Sequence, residues 1–152
     1  MNNIKAFSIL LVLVAWNPIS AQRFEFTFDH HSLIVKDPKK TGDFYANVLG
    51  LKEIKHPTDT INFRWFNVRE NTQIHLIRKD QVEKFENKSN HLCLSIRDLD
   101  RYISFLEQEG IPYWDWPGKP NAVTLRADGV RQIYLKDPED NWIEINTSSH
   151  NW

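Results

Sequence analysis

The chain alternates between stretches of period two and stretches of helical period, and it does so twice. Residues 24–35 alternate and are rich in Phe, Ile and Val, which predicts a strand. Within FDHHSLIV, His30, Ser32 and Ile34 share one face; His31, Leu33 and Val35 share the other, and this more apolar face is expected to lie under a helix. That helix is predicted from Asp37 as N-cap and Pro38 at its first position, through Phe44, Tyr45, Val48 and Leu49 on its apolar side, to a stop at Gly50. LKEI reads as a short strand, and INFRWFNV and QIHLIR as two strands joined by a turn at Arg69-Glu70-Asn71. After the charged stretch KDQVEKFENKSN, read as a linker, the plan starts again. HLCLSI is a strand, Asp98 a cap, and Leu99 to Glu109 a helix that turns Leu99, Tyr102, Ile103 and Leu106 inward and stops at Gly110. YWDWPGKP follows as an aromatic loop or short edge strand. AVTLR and VRQIYLKD form a hairpin through Ala127-Asp128-Gly129, and WIEINT closes the set after the turn Pro138-Glu139-Asp140-Asn141.

The two halves also match residue by residue. Laying HHSLIVKD on HLCLSIRD pairs His30 with His91, Ser32 with Cys93, Leu33 with Leu94, Val35 with Ile96 and Asp37 with Asp98, and the match runs on through Lys40 with Arg101 and Phe44 with Phe105. Each half is strand, helix and three strands, with boundaries near residues 26–80 and 88–147. A repeat whose copies each begin a buried strand with a histidine suggests a pseudo-symmetric site assembled between them.

Composition narrows the partners. The 152 residues carry 19 Lys and Arg against 20 Asp and Glu, scattered along the chain, so no basic face exists to hold a nucleic-acid backbone. Cys93 is the only cysteine, which excludes an intramolecular disulfide and a thiolate-rich zinc cluster. The opening MNNIKAFSILLVLVAWNPISA has Lys5, an apolar run from Ala6 to Trp16, the break Asn17-Pro18 and small residues to Ala21. That is the build of a secretory signal over residues 1–21, cleaved before Gln22, and it predicts a periplasmic or secreted protein. The run is short for a bilayer span and Gln22, not a cysteine, stands directly after the cleavage point, so no stable membrane anchor is expected after cleavage.

The last strand of each half carries a polar residue between aliphatic neighbours: His75 in QIHLI and Glu144 in WIEIN. Alone, such a residue reads equally well as a hydrogen-bonded core group or as a surface position of an alternating strand, because burying it without a partner is expensive. Together with His30 and His91, at symmetric positions of a repeat, they read as four ligands of one divalent ion. Three imidazoles and a carboxylate suit zinc, iron(II), nickel, cobalt or manganese rather than calcium. His31 is the alternative first ligand if the strand register slips. Cys93, on the face of His91, reads as a small buried hydrophobe or as a residue lining the cup. Phe63, Trp65, Arg131, Tyr134 and Trp142 are candidate pocket walls, Trp114 and Trp116 a lid or an exposed patch, and His56 and His150 plain loop and tail residues.

FDHHSLIVKDPKKTGDFYANVLGL and RQIYLKDPEDNWIEI resemble the opening and closing motifs of the vicinal oxygen chelate superfamily, which includes glyoxalase I, fosfomycin-resistance and bleomycin-binding proteins, methylmalonyl-CoA epimerase and extradiol dioxygenases. The resemblance spans residues 26–147 and implies an α+β fold, paired βαβββ modules forming an eight-stranded curved mixed sheet with helices outside. It places His30, His75, His91 and Glu144 on the family's four ligand positions, with His75 where glyoxalase I carries a carboxylate or amide, and Asp140 where the closing turn usually has glycine. It implies a metal-dependent enzyme of the glyoxalase-like, lyase or isomerase kind acting on a small oxygen-chelating substrate, with Glu144 as proton shuttle. A non-haem iron(II) extradiol-type dioxygenase built on His30, His91 and Glu144 is one alternative. A ligand-sequestering protein of the bleomycin-resistance kind is the other. Modules of the family pair within a chain or swap between chains, so a homodimer is compatible with the sequence.

Overall fold

A computed structural model describes residues 27–82 and 87–148; the expected leader and its cleavage point lie outside these residues. The order is β1 (His30–Val35), α1 (Pro38–Asn47), β2 (Lys52–Ile54), β3 (Phe63–Arg69), β4 (Thr72–Arg78), β5 (His91–Ser95), α2 (Leu99–Gln108), β6 (Thr124–Leu125), β7 (Arg131–Lys136) and β8 (Trp142–Asn146). This is two βαβββ modules in tandem, an α+β fold. The eight strands hydrogen-bond as two four-stranded mixed sheets, ordered β1-β4-β3-β2 and β5-β8-β7-β6. In each, the first strand runs parallel to the last and the remaining pairs are antiparallel.

Both helices begin as their sequences dictate. Asp37 accepts from the Lys40 backbone N–H and Asp98 from that of Arg101, each at 2.9 Å, satisfying a donor that the first turn leaves unpaired. Gly50 and Gly110 follow the helices at φ of 66° and 67°, a left-handed conformation that favours glycine. Gly42 inside α1 has a different reason to be small, since a side chain there would collide with the Arg64 guanidinium from β3. Arg64 holds α1 to the sheet through Asp43 and the Lys39 carbonyl, both at 2.8 Å, and reaches Glu53 with its other nitrogens.

Alternation puts one face of each sheet under its helix. Val35, Phe66, Ile74 and Leu76 from the first sheet and Ile133, Leu135, Ile143 and Ile145 from the second join Tyr45, Leu99 and Leu106 of the helices in one apolar cluster. The modules are tied end to side. The Glu139 carboxylate accepts from the backbone N–H groups of Lys36 and Asp37 at 2.9 Å, and the Tyr102 hydroxyl donates to the Val48 carbonyl at 3.2 Å. Asp140, in the glycine position of the β7–β8 turn, adopts φ of 67°, so the turn keeps its geometry with a residue that tolerates it. Among the described residues no helix is long and apolar enough to cross a membrane.

Candidate metal centre

The sheet faces turned away from the helices carry the candidate chemistry. On β5 and β8 the register sets His91 opposite Trp142, Cys93 opposite Glu144 and Ser95 opposite Asn146. On the other side of β8, Tyr134 of β7 lies opposite Glu144. Glu144, at 5 % exposure, therefore sits between a thiol and a phenol, with Ile143 and Ile145 beside it along the strand. Its Oε2 accepts from the Tyr134 hydroxyl at 2.5 Å and lies 3.2 Å from His91 Nε2; its Oε1 accepts from Asn146 Nδ2 at 2.8 Å. Burial works to raise the Glu144 pKa, but hydrogen bonds from Tyr134, Asn146 and Cys93 and the proximity of His91 outweigh it and hold the carboxyl below its ordinary value. Burial, then the same carboxylate, raises the Tyr134 hydroxyl above its ordinary range. Burial of the Cys93 thiol against Glu144 pushes it up to about 12, although the residue as a whole is exposed.

His91 is oriented for ligation. Its Nδ1 donates to the Lys88 carbonyl at 2.8 Å, which orients the ring so that Nε2 faces Glu144 at 3.2 Å. Among the described residues, His91, Cys93 and Glu144 form the group of potential ligands whose donor atoms all lie within 4.8 Å of one another. The group opens to a cavity of about 600 Å³ on the seam between modules, walled by His91, Cys93 and Asn146 on one side and by Phe28, Gln73 and Ile74 on the other. His31 also lines this cavity rather than replacing His30 on the open face.

The first module's predicted ligands stand apart from that group. His30 and His75 stack with ring centroids 4.2 Å apart, and His75 stacks on Trp65 at 4.1 Å, so His75 is held between two rings. His30 Nδ1 donates to Asp29 at 2.5 Å and His75 Nε2 to Gln73 Oε1 at 2.8 Å. Burial, then the charge of His30, lowers the His75 pKa, against a smaller opposing pull from Asp29. Within the chain the four expected ligands make two close contacts, His30 with His75 and His91 with Glu144. Stacking and sideways hydrogen bonds satisfy the first pair, while His91 and Glu144 face each other across a gap that also contains a thiol.

Of the expected pocket walls, Phe63 and Trp65 lie on the open face, where His56 bridges them at 4.6 and 4.5 Å between ring centroids. Arg131 does not line the site: the alternation of β7 turns it to the helix side, where it binds Asp100 at 2.6 and 2.8 Å. Trp142 stands beside His91 on the neighbouring strand, under Lys88 and Lys136 at 4.8 and 4.7 Å from its ring, and does not line the seam cavity. Trp116 packs on one side against Tyr134 at 5.6 Å between ring centroids and is exposed on the other. Sequence reasoning missed Asn146, Lys88 and the ring contacts of His56. The period-two pattern Trp142, Glu144, Asn146 on β8 could have found Asn146; nothing in the linker marked Lys88.

Two βαβββ units, each with its first strand parallel to its last and each presenting polar residues from those strands on the open face, define a paired-module scaffold. Residues 27–145 match the family described as the glyoxalase/bleomycin resistance protein/dioxygenase superfamily, and the chain belongs to it. It is 29% identical to the uncharacterized protein YwbC of Bacillus subtilis, covering 77% of this chain and 94% of that protein. It is 23% identical to a lactoylglutathione lyase of Pseudomonas aeruginosa, covering 84% of this chain and 85% of the enzyme. A glyoxalase family protein of Bacillus anthracis superposes with a TM-score of 0.68 at 19% identity, over 84% of this chain and 99% of that one.

Proposed function

We propose that the protein is a metal-dependent, glyoxalase-like enzyme of the periplasm or extracellular space, in which His91 and Glu144 hold a divalent ion and a small oxygen-chelating substrate enters from the seam cavity. The observation that carries this reading is the His91–Glu144 pair at 3.2 Å with Nδ1 of the imidazole fixed by a carbonyl, an arrangement that presents a nitrogen lone pair and a carboxylate to a shared cation. Such an ion would supply Lewis acidity to a bound carbonyl or hydroxyl oxygen. Glu144 stays ionised at neutral pH because its pKa is lowered, the state needed both to ligate and to accept a proton. Tyr134 and Asn146 hold the carboxylate in place through hydrogen bonds to its two oxygens. The dioxygenase alternative needs His30 on the same ion as His91 and Glu144, and His30 is not part of that cluster.

The test follows the exchange of the proton α to a carbonyl in deuterated water, by NMR, over a panel of small hydroxyketones and α-ketoaldehyde adducts. Exchange is expected with metal-loaded protein and should fall about 10²–10⁴-fold in Glu144→Gln at equal metal occupancy. Exchange that merely follows occupancy would reduce Glu144 to a ligand. Export has its own check: mass spectrometry should find a chain beginning at Gln22, and an intact Met1 in exported material contradicts it.

A further inference from the structure

The geometry points to Cys93 Sγ as a third protein ligand, making the second module a self-sufficient His/Cys/Glu site for a thiophilic divalent ion such as zinc or cobalt. This rests on the metal reading above and adds a donor to it. His91 and Cys93 are two residues apart on β5 and project from the same face; Cys93 is the lateral partner of Glu144, and all three donor atoms fall within 4.8 Å of one another.

Asn146 gives an independent reason to read Sγ as a ligand. Its Oδ1 accepts from the Ser95 hydroxyl and the Ser148 backbone N–H, both at 3.0 Å, which fixes the orientation of the amide. Its Nδ2 then donates to Cys93 Sγ at 3.1 Å and to Glu144 Oε1 at 2.8 Å, the outer support that stabilises ligand atoms carrying negative charge. The matching positions of the first module are His30, Ser32 and His75, with Ser32 opposite His75 where the second module has Cys93 opposite Glu144, so that half offers a hydroxyl in place of the thiol. On binding, the Sγ–metal bond forms as the thiol proton is released to solvent. Three protein ligands leave a position open toward the seam cavity. A thiolate in the set favours zinc or cobalt over manganese or magnesium.

Cobalt(II) titration of the reduced, untagged chain, followed by ultraviolet–visible absorption, tests this. Saturation with a thiolate-to-cobalt charge-transfer band is expected, and His75→Ala should keep it. Cys93→Ser should bind cobalt without the band and lose about 10–100-fold in zinc affinity, with manganese affinity little changed. Far-ultraviolet circular dichroism confirms that the variant is folded, and the band in the unaltered chain stands by itself if it is not. Cobalt bound without the band, or unchanged zinc affinity in folded Cys93→Ser, overturns the thiolate ligand and leaves the metal reading standing. Absence of cobalt and zinc binding overturns both.

Discussion

The open faces of the two sheets share a topology and differ in chemistry. In the first, Trp65 lies opposite His75 and His75 opposite His30's neighbour Ser32; in the second, Tyr134 lies opposite Glu144 and Glu144 opposite Cys93. The first face fills itself with rings, from His30 through His75 and Trp65 to His56 and Phe63, and its polar atoms bond sideways. The second face gathers a carboxylate, an imidazole and a thiol around one point and braces them with Tyr134 and Asn146. One duplicated scaffold can therefore divide labour: a ring-stacked half that gives a rigid wall, and a donor half that can hold an ion.

The comparison should break wherever the halves share structure. Leu76→Ala in the first module and Leu135→Ala in the second each truncate a fully buried side chain of the common cluster. Each is expected to cost about 2–5 kcal/mol. Urea unfolding should remain a single transition in both, and two separate transitions would show independent modules. The comparison should sharpen at the metal. Glu144→Ala is expected to lower zinc affinity more than about 100-fold by competition titration, whereas His75→Ala changes it little. Trp65→Ala removes the ring between His56 and His75 and is expected to cost about 1–2 kcal/mol from two lost ring contacts, with zinc affinity unchanged.

The smallest effect is the pH response of the first face. The His75 pKa is lowered by burial and by His30, so the unfolded chain binds the proton more tightly than the folded one. Stability from this group is present above the ordinary histidine value of 6.5 and is lost as pH falls through the lower folded value. The urea midpoint of the unaltered chain should therefore drop more between pH 7 and pH 5 than that of His75→Phe. Equal drops would place the acid sensitivity elsewhere.

Much of this was legible because the signals are local. Asp37 and Asp98 mark helix starts, Gly50 and Gly110 mark stops, and period-two alternation assigns faces on β1, β4, β5 and β8. The repeat singled out His30, His75, His91 and Glu144; in the structure His30 stacks on His75, and His91 Nε2 lies 3.2 Å from Glu144. Their local partners were not legible, because these depend on side chains of neighbouring strands and turns such as Gln73, Asp29 and Trp65. Arg131 was misread for a similar reason: its role depends on Asp100 of α2, a contact distant in the chain. Cys93 was legible as a residue on the His91 face but not as part of a donor group, since that follows from its pairing with Glu144.

The most direct measurement is the metal content of the chain purified without a histidine tag, set beside His91→Ala and His30→Ala prepared identically. The expected result is about one ion per chain in the unaltered protein and in His30→Ala, and a near-empty His91→Ala. Equal loss in both variants would contradict a centre confined to the second module, and an unaltered chain that neither carries nor takes up an ion would contradict the metal-dependent reading itself.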